Sequence, residues 1–349
     1  MKKTILFIIT KSETGGAQKF VSEQIRCLNN RKNWNLLLAT NSEGWLTESV
    51  NNIIPKESIF LNPKIETLIS ISYLFNLILF ILKEKPNLLV ANSANGGIYG
   101  RLAGFFTGTK VIYVSHGWSS IYKGGKFQFI FNFIEKMFSY ITSSILCISE
   151  QDRIKAVEIL KISPSKIYVI HNSILPIKNK NQKLSGDILT VCRLASPKRV
   201  DILIEAMALI PEYKLHIIGD GPLLFSLKAL VNKKKLGNIT FCGYKSNFID
   251  FNQYKLFCLI SDSEGMPMSA IEAMSCGLPV ILSNVGGCSE IINNNGFLVD
   301  NNPEHISHSI KKAFINYELF SDNSKNIFKS KFNLENNIYL FESFYQKYI

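Results

Sequence analysis

The chain has 349 residues, of which 46% are hydrophobic, so it is long enough for two domains that each bury a core. Its seven cysteines are dispersed, with no CxxC pair and no nearby histidine cluster, which argues against a zinc site or a disulfide framework and fits a reducing cytoplasm. The net charge is +12, and residues 1–175 hold most of the surplus, with 20 basic against 11 acidic side chains. Such a surplus can attract nucleic acid, anionic lipid or a phosphorylated acceptor; no nucleic-acid-binding motif is present, and we predict no nucleic-acid partner.

Two apolar runs in the first half need separate interpretation. Residues 5–9 follow two lysines, but the run is too short for a signal peptide and has no small-residue cleavage site, so it predicts the first β-strand. Residues 68–82 fall short of the roughly 20 apolar residues that a membrane helix needs, and they lead into charged residues. The second run therefore predicts a buried helix.

Short β-branched runs alternate with helical stretches along the chain. The predicted strands are residues 4–9, 35–39, 88–91, 110–114, 145–148 and 166–170, followed by 188–192, 215–218, 238–241, 255–260 and 279–282. This alternation is typical of βαβ units, and a polar segment, residues 175–183, interrupts it. We therefore predict an α/β protein with two Rossmann-like doubly wound domains, residues 1–176 and 177–335, and a C-terminal helix, residues 336–349, that packs back onto the first domain. Ligands of such domains bind at the carboxyl ends of the strands.

Two loops after predicted strands of the second half carry residues suited to an anion. Arg193 and Lys198 follow strand 188–192 at the start of a helix, and a guanidinium with an ammonium suits a diphosphate, although a charged loop can also be merely solvated. Residues 219–222, Gly-Asp-Gly-Pro, follow strand 215–218, and glycines let a backbone turn sharply and approach a ligand. The third glycine of a G-x-G-x-x-G fingerprint is missing, which disfavours a dehydrogenase.

The most informative segment follows strand 255–260. Pro267 at a helix start, preceded by Gly265, leaves unpaired backbone N–H groups and the positive end of the helix dipole facing a ligand, which predicts an anion site. Glu264 lies in the loop before this helix, and Glu272 lies two turns into it. A glutamate inside an apolar helix needs a partner, and ribose hydroxyls supply donors.

These residues together resemble a known family. The spacing of Glu264 and Glu272 resembles the E-x7-E motif of the family 4 glycosyltransferases, whose GT-B fold consists of two Rossmann-like domains that face each other across a cleft. Five further segments stand in that family's order and resemble its glycine, histidine and phosphate loops: residues 11–18, 115–118, 193–198, 219–222 and 285–290. The resemblance covers nearly the whole chain, and the ordered set is far more specific than any one of its parts.

The resemblance implies roles for the matched residues. Arg193 and Lys198 would neutralise the diphosphate, Glu272 would hold the ribose, and Glu264 would contact the transferred sugar. His116 would hydrogen-bond a sugar hydroxyl or orient the reacting face, although a histidine at that position could also be a core residue. The remaining expected donor-binding residues are Gly15, Gly16, Gly219, Gly265, Met266, Pro267 and Met268.

The sequence departs from the family pattern at two positions of the phosphate loop. Cys192 stands where a glycine usually precedes the arginine, and Arg199 stands where a glycine usually follows the lysine. Both replacements predict a phosphate loop stiffer than is typical of the family.

The resemblance implies a retaining glycosyltransferase that moves a hexose or N-acetylhexosamine from a nucleotide sugar, expected to be a UDP-sugar, to a growing surface polysaccharide. That polysaccharide would be an O-antigen, capsule or exopolysaccharide on a polyprenyl diphosphate carrier. Retention can proceed through a covalent intermediate or by front-side attack, and the resemblance favours the second. No cofactor is expected. Residues 262–264, Asp-Ser-Glu, superficially resemble a D-x-D metal clamp, but a metal would duplicate Arg193 and Lys198, so metal independence is predicted.

Two other functions stay open at this point. The first is a nucleotide-sugar epimerase of the same fold, which is disfavoured because its acid and base carboxylates are not apparent at the expected loops. The second is a non-catalytic subunit that binds sugar nucleotides, and the intact Glu264, Glu272 and His116 argue against it.

The acceptor side is less specific. Residues 126–141 are unusually aromatic and predict a core-packed helix, but part of its face, together with Lys123 and Lys126, could dock on an anionic membrane where a lipid-linked acceptor resides. Trp118 is the third residue expected to contact the acceptor or the membrane. These observations predict a cytoplasmic protein that associates peripherally with the inner face of the plasma membrane.

Overall fold

The computed structural model describes residues 2–31, 33–118, 121, 128–178 and 185–349. The chain divides into two compact units. Unit 1 consists of Met1–Asn172 and Leu334–Ile349, and unit 2 consists of Ser173–Asn333. The boundary expected from the sequence lies at residue 176, and the returning helix is expected from residue 336.

Unit 1 is built on a seven-stranded parallel sheet with the strand order β3-β2-β1-β4-β5-β6-β7. Its strands are β1 Lys3–Ile9, β2 Trp34–Thr40, β3 Ile59–Leu61, β4 Leu88–Asn92, β5 Lys110–Ser115, β6 Ser144–Cys147 and β7 Ile167–Val169. The strands are almost continuously apolar because helices cover a parallel sheet on both faces. β3 was not predicted, since three residues give too short a pattern.

The helices of unit 1 before the boundary are α1 Gly16–Asn30, α2 Trp45–Val50, α3 Ile71–Glu84, α4 Ala94–Thr107, α5 Gln128–Tyr140 and α6 Glu150–Glu158. α3 and α4 share one hydrophobic cluster with the sheet, to which Tyr73, Leu77 and Tyr99 contribute. The helix predicted over residues 68–82 therefore exists as α3, but the prediction that it is buried is wrong: only Tyr73, Leu77 and Ile81 are buried, and its other large apolar side chains are partly or fully exposed. Among the described residues, no helix is long and apolar enough to span a bilayer.

Unit 2 is built on a six-stranded parallel sheet with the order β10-β9-β8-β11-β12-β13. Its strands are β8 Ile188–Val191, β9 Leu215–Ile218, β10 Ile239–Gly243, β11 Leu256–Leu259, β12 Val280–Ser283 and β13 Gly296–Val299. Its helices are α7 Val200–Ala208, α8 Leu224–Lys233, α9 Met268–Ser275, α10 Pro303–Ile315 and α11 Tyr317–Ile327. β8 pairs with both β9 and β11, so β9 and β10 extend the sheet on one side of β8 and the later strands extend it on the other side. Ligands of open α/β sheets bind at such a switch point in the strand order.

After unit 2 the chain returns to unit 1 as α12, Leu334–Gln346. α12 packs on α1, where the rings of Phe341 and Phe20 lie 5.8 Å apart between centroids. Trp34 Nε1 of β2 donates a hydrogen bond of 2.9 Å to Glu342 Oε1 of α12. The fold-class prediction of two Rossmann-like α/β units is confirmed.

Candidate active site

The loops that follow β8 and β11 are joined to each other by backbone contacts. An isolated antiparallel bridge links Lys198 to Ser261. Beside it, the Arg199 N–H donates to Ile260 O at 2.8 Å. Because β8 and β11 are adjacent strands, this bridge fixes two loops that are far apart in sequence at one edge of the sheet.

The side chains of Lys198 and Glu264 meet across this bridge. Lys198 Nζ donates a hydrogen bond to Glu264 Oε1, and Ser261 Oγ donates to the same oxygen at 2.5 Å. The two side chains are 18% and 11% exposed. Burial disfavours the Lys198 ammonium, but the neighbouring Glu264 carboxylate more than offsets this effect and raises the pKa of Lys198. Lys198 is therefore a charged, fixed cation at neutral pH.

Arg193 occupies the same loop as Lys198 in a different environment. Its side chain is exposed and forms no hydrogen bond or ion pair with any described residue. Arg199, in contrast, is engaged by two aspartates: Nη2 lies 2.8 Å from Asp201 Oδ2, and Nη1 lies 3.3 Å from Asp262 Oδ1. The loop thus carries one exposed guanidinium and one partly buried ammonium that is paired with Glu264.

The carboxylates that resemble a metal clamp already have protein partners. Asp262 Oδ1 accepts hydrogen bonds from Arg199 Nη1 and from Asn301 Nδ2, the latter at 3.0 Å. Glu264 is held by Lys198 and Ser261. In the part of the chain that the structure describes, no group of three His, Cys, Asp or Glu side chains could hold a metal ion. Asp262 and Glu264 are thus each held by one cationic and one neutral side chain.

Two glycines allow neighbouring loops to close on this site. Gly219, with a φ of +147°, follows β9, and a Cβ atom there would lie 1.8 Å from the Cys192 carbonyl oxygen. Gly286, with a φ of +52°, follows β12, and a Cβ atom there would lie 1.7 Å from the Glu264 carbonyl oxygen. Any side chain at either position would displace the backbone beside Arg193 or Glu264.

The start of α9 has the open backbone donors of an anion site. No side chain caps the helix, and no described residue accepts a hydrogen bond from the N–H of Met268 or Ser269. The side chains of Met266 and Met268 are only 3% and 7% exposed, so a donor contact at these residues would involve their backbone. Glu272 lies in the second turn of α9 and is buried.

His116 lies directly after β5, beside the end of β4. Its Nε2 is 2.9 Å from Asn92 Oδ1, and Asn92 Nδ2 donates to Val90 O at 3.0 Å. Because the Asn92 amide nitrogen faces a carbonyl, its oxygen faces His116, and the histidine proton belongs on Nε2. Nδ1 then carries a lone pair, and it forms no hydrogen bond to any described residue.

The environment of His116 keeps the imidazole neutral. Burial lowers its pKa to about 3, and the Phe20 ring packs edge-on at 5.1 Å between ring centroids. A neutral imidazole with an open Nδ1 can accept a hydrogen bond from a hydroxyl, but it carries no positive charge at neutral pH. This chemistry suits the sugar-hydroxyl contact expected from the sequence.

The glycine loop of unit 1 lies at the same edge of its sheet. Gly15 is the N-cap residue of α1 and has an extended backbone; because glycine has no side chain, it does not cap the start of the helix. Gly16 is the first helical residue and is exposed. β1, which precedes this loop, pairs with β4, and β4 pairs with β5. The glycine loop and His116 therefore follow strands on either side of β4.

The structure contradicts the surface contact expected for Trp118. This side chain is 1% exposed, its Nε1 donates to Asp152 O at 2.9 Å, and its ring lies 5.9 Å from that of Tyr113 between centroids. Trp118 is therefore a core residue and is not placed to touch an acceptor or a membrane. Lys123 and Lys126 lie outside the described residues.

Three polar residues of these sites were missed by the sequence interpretation: Asn92, Ser261 and Asn301. Asn92 is a fully buried polar residue that ends the otherwise apolar strand β4. Ser261 follows β11 almost directly and is also fully buried. A polar residue at the carboxyl end of a buried strand is a signal that could have identified both.

The chain matches two family models. The model described as Glycosyltransferase Family 4 matches residues 14–175, and the model described as Glycosyl transferases group 1 matches residues 174–330.

Known proteins resemble the chain in sequence and in structure. The chain is 39% identical over 335 residues, 96% of each chain, to the Escherichia coli protein named O-antigen biosynthesis glycosyltransferase WbnH. It is 27% identical over 258 residues, 66% of each chain, to the Escherichia coli UDP-Gal:alpha-D-GlcNAc-diphosphoundecaprenol alpha-1,3-galactosyltransferase. Among solved structures, Anabaena Alr3699/HepE in complex with UDP and glucose superposes with a TM-score of 0.83 at 18% identity, covering 97% of this chain and 99% of that one.

Proposed function

Because the chain belongs to the family 4 glycosyltransferases of the GT-B fold, we propose that it transfers a hexose or N-acetylhexosamine from a UDP-sugar to a lipid-linked O-antigen, with retention of configuration. The observation that carries the proposal is the Lys198–Glu264 pair at the ends of β8 and β11, in the same loop region as the exposed Arg193. A diphosphate needs cations and a sugar needs hydrogen-bond acceptors, and this pair supplies one of each in contact.

The donor contacts follow from the chemistry of each group. Arg193 and Lys198 would neutralise the diphosphate, together with the open backbone N–H groups of Met268 and Ser269 at the start of α9. Glu272, on the same helix, is proposed to hold the ribose. Glu264 is proposed to accept hydrogen bonds from hydroxyls of the transferred sugar.

Front-side attack is the proposed route to retention. The bond between the anomeric carbon and the diphosphate oxygen breaks, and the acceptor oxygen bonds to the same face of that carbon. The acceptor proton passes to the departing phosphate oxygen, whose growing charge Arg193 and Lys198 stabilise. The engagement of Glu264 by Lys198 and Ser261 supports this route, because a carboxylate held by two donors is a weak nucleophile.

Metal independence is part of the proposal. Asp262 is engaged by Arg199 and Asn301, and Glu264 is engaged by Lys198, so binding a cation would first require these contacts to break. Arg193 and Lys198 supply the positive charge that a metal would otherwise provide at the diphosphate.

The names of the relatives support the choice of donor and acceptor. WbnH is named for O-antigen biosynthesis, and the galactosyltransferase relative is named for a UDP-sugar donor and a diphosphoundecaprenol-linked acceptor. The HepE structure contains UDP and glucose. We therefore propose UDP as the nucleotide and a polyprenyl diphosphate as the acceptor carrier.

A thermal-stabilisation screen followed by a transfer assay tests the proposal. A UDP-sugar at about 100 times its dissociation constant should stabilise the native protein by about 2.7 kcal/mol, whereas other nucleotide sugars should not. Transfer to a polyprenyl-diphosphate-linked acceptor should then give a product with the donor's anomeric configuration by NMR. Lys198→Met should abolish the stabilisation, and Lys233→Met, which removes an exposed lysine of α8, should leave it intact.

Three results would contradict parts of this proposal. If no UDP-sugar stabilises the protein, the donor assignment is wrong. A product of inverted configuration would refute retention. Stabilisation without transfer to any sugar or lipid-linked acceptor would instead favour a non-catalytic subunit that binds sugar nucleotides.

A further inference from the structure

Three titratable side chains meet on the sheet of unit 2, apart from the groups assigned to the donor. Cys242 Sγ lies 3.7 Å from His216 Nδ1, and His216 Nε2 lies 3.0 Å from Asp187 Oδ2. We call these residues the thiol triad: Cys242, His216 and Asp187. Cys242 and His216 are 26 positions apart in the sequence, so no local pattern predicts their contact.

Neighbouring strands bring the thiol triad together. Asp187 directly precedes β8, His216 belongs to β9, and Cys242 belongs to the edge strand β10. The pairing of β10 with β9 shifts by one residue between Phe241 and Gly243, which leaves Cys242 as an extra residue of β10. A β-bulge of this kind re-aims a side chain and is common at sheet edges and beside active sites.

The two contacts of His216 define its tautomer. A carboxylate oxygen only accepts hydrogen bonds, so the proton of the neutral imidazole belongs on Nε2, which faces Asp187. Nδ1 then carries a lone pair, to which the Cys242 S–H can donate. A nucleophile in contact with a base, with a third group that orients the base, is the arrangement that activates a thiol. His216 can therefore take the thiol proton, and Asp187 stabilises the imidazolium that results.

The aromatic neighbour of the thiol triad adds no charge to it. The Tyr254 ring packs edge-on against the His216 ring, at 5.4 Å between centroids. Burial, and then the nearby Cys242, Asp187 and Asp250, raise the pKa of Tyr254 to about 12, so its phenol is neutral at neutral pH. Cys242 is partly exposed, and the side chains of His216 and Asp187 are 25% and 18% exposed. A small reagent can therefore reach the sulfur.

The other six cysteines lie in environments that suppress reactivity. Burial raises the pKa of the partly exposed Cys192 and Cys276 thiols to about 11. Burial also raises the pKa of the four thiols that are fully enclosed, which are those of Cys27, Cys147, Cys258 and Cys288. The thiolate is the nucleophilic form of cysteine, so these six side chains react poorly at neutral pH.

A metal ion is a poor occupant of the thiol triad. Cys242 and Asp187 contact opposite nitrogens of the His216 ring, so one ion cannot bind all three side chains. A structural zinc ion takes four such ligands. The thiol triad is therefore suited to chemistry at the sulfur atom.

We propose that Cys242 is a reactive thiol, activated by His216 and Asp187, at which a hydroperoxide modifies this chain. The thiolate sulfur attacks one oxygen of the peroxide, an S–O bond forms, and the O–O bond breaks. The departing oxygen takes the proton that His216 received from the thiol. Sulfur loses two electrons and the peroxide gains them, so hydrogen peroxide gives cysteine sulfenic acid and water. The inference goes beyond the proposed function and uses none of the residues assigned to the donor.

Trapping of the sulfenic acid in the full chain tests the proposal. The wild-type protein is treated with a limiting amount of hydrogen peroxide in the presence of dimedone, and each cysteine peptide is quantified by mass spectrometry. Cys242 should carry at least about ten times the dimedone adduct of Cys192 or Cys276, the other two partly exposed thiols. Labelling of Cys242 no greater than that of Cys276 would overturn the proposal. No nucleotide sugar is added, so the result does not depend on the proposed function.

Substitution of the imidazole tests the activation of the thiol. His216→Gln removes the base and should lower the labelling of Cys242 at least about tenfold, while the labelling of Cys276 in the same sample stays unchanged. The control His308→Gln, which removes an exposed histidine of α10, should leave the labelling of Cys242 unchanged. Equal labelling of Cys242 in the wild type and in His216→Gln would show that the sulfur needs no base and would overturn the proposal.

Asp187 is a positioning residue, and two substitutions separate its charge from its packing. Asp187→Asn should lower the labelling of Cys242 about tenfold, because it removes the charge that stabilises the imidazolium. Asp187→Glu keeps a carboxylate and should recover part of that labelling, which a loss of packing alone would not explain. Wild-type labelling in Asp187→Asn would refute the role of Asp187. These two variants and the comparison of cysteines in the wild type also decide the question if thermal unfolding shows that His216→Gln does not fold.

Discussion

The Lys198–Glu264 pair gives a prediction in which stability and activity respond differently. Lys198→Met and Glu264→Gln each leave a mostly buried charge without its partner, whereas the double variant replaces the pair by two uncharged side chains. Removing one partner of a buried pair costs about 3–5 kcal/mol, and exposures of 18% and 11% point to the lower end, about 3 kcal/mol for each single variant. The double variant should lose far less than the sum of the two.

Urea and thermal unfolding of the four proteins measure this coupling. A loss of about 3 kcal/mol should lower the Tm of each single variant by about 6–12 °C, and the double variant should recover most of that loss. Transfer activity should be absent from all three variants, although each remains folded. Additive losses of stability would show that the pair does not form, and near-normal turnover by any variant would refute the roles assigned to Lys198 and Glu264.

Three further predictions follow from the site. The Gly286→Ala variant should lose most of its transfer activity and about 2 kcal/mol or more of stability, because its Cβ would lie 1.7 Å from the Glu264 carbonyl oxygen. The control Gly237→Ala should be nearly neutral, because a Cβ atom there would meet open space. Equal behaviour of the two variants would contradict the loop packing. His116 should stay neutral between about pH 5 and pH 8 in NMR titration. Its folded pKa of about 3 lies below the ordinary 6.5, so its contribution to stability should be lost as the pH falls from 6.5 towards 3. The His116→Gln variant should show a weaker dependence of stability on pH in this range. An imidazole that titrates near 6.5 would be inconsistent with a buried His116. Transfer should persist in excess chelator, and a loss of activity that manganese or magnesium restores would overturn metal independence.

The sheets were largely predictable because both units are parallel α/β structures whose strands are short apolar runs between helices. β3 and β13 were the exceptions. β3 has only three residues, and β13 begins at Gly296, directly after three consecutive asparagines, so neither gives the long apolar pattern of a central strand. Edge strands such as these make fewer pairings and need less apolar sequence.

Lys198 and Glu264 were both named from the sequence as candidate donor-binding residues, but their direct contact was not predicted. Lys198 and Glu264 are 66 positions apart, and their contact depends on the pairing of β8 with β11. A local pattern identifies strands but does not say which strands are neighbours. The error at Trp118 has a similar cause, because its burial depends on Tyr113 and on the Asp152 carbonyl, neither of which its own loop reveals.

The return of α12 to unit 1 bears on how the protein is made. Residues 334–349 follow all of unit 2 in the chain, so a ribosome delivers them only after unit 2 has been translated. Until then, a nascent unit 1 leaves Phe20 without Phe341 and the Trp34 indole without Glu342. Cutting the chain at the unit boundary would likewise give an N-terminal fragment that lacks one of its helices. The unit that is translated first is therefore the unit that is completed last.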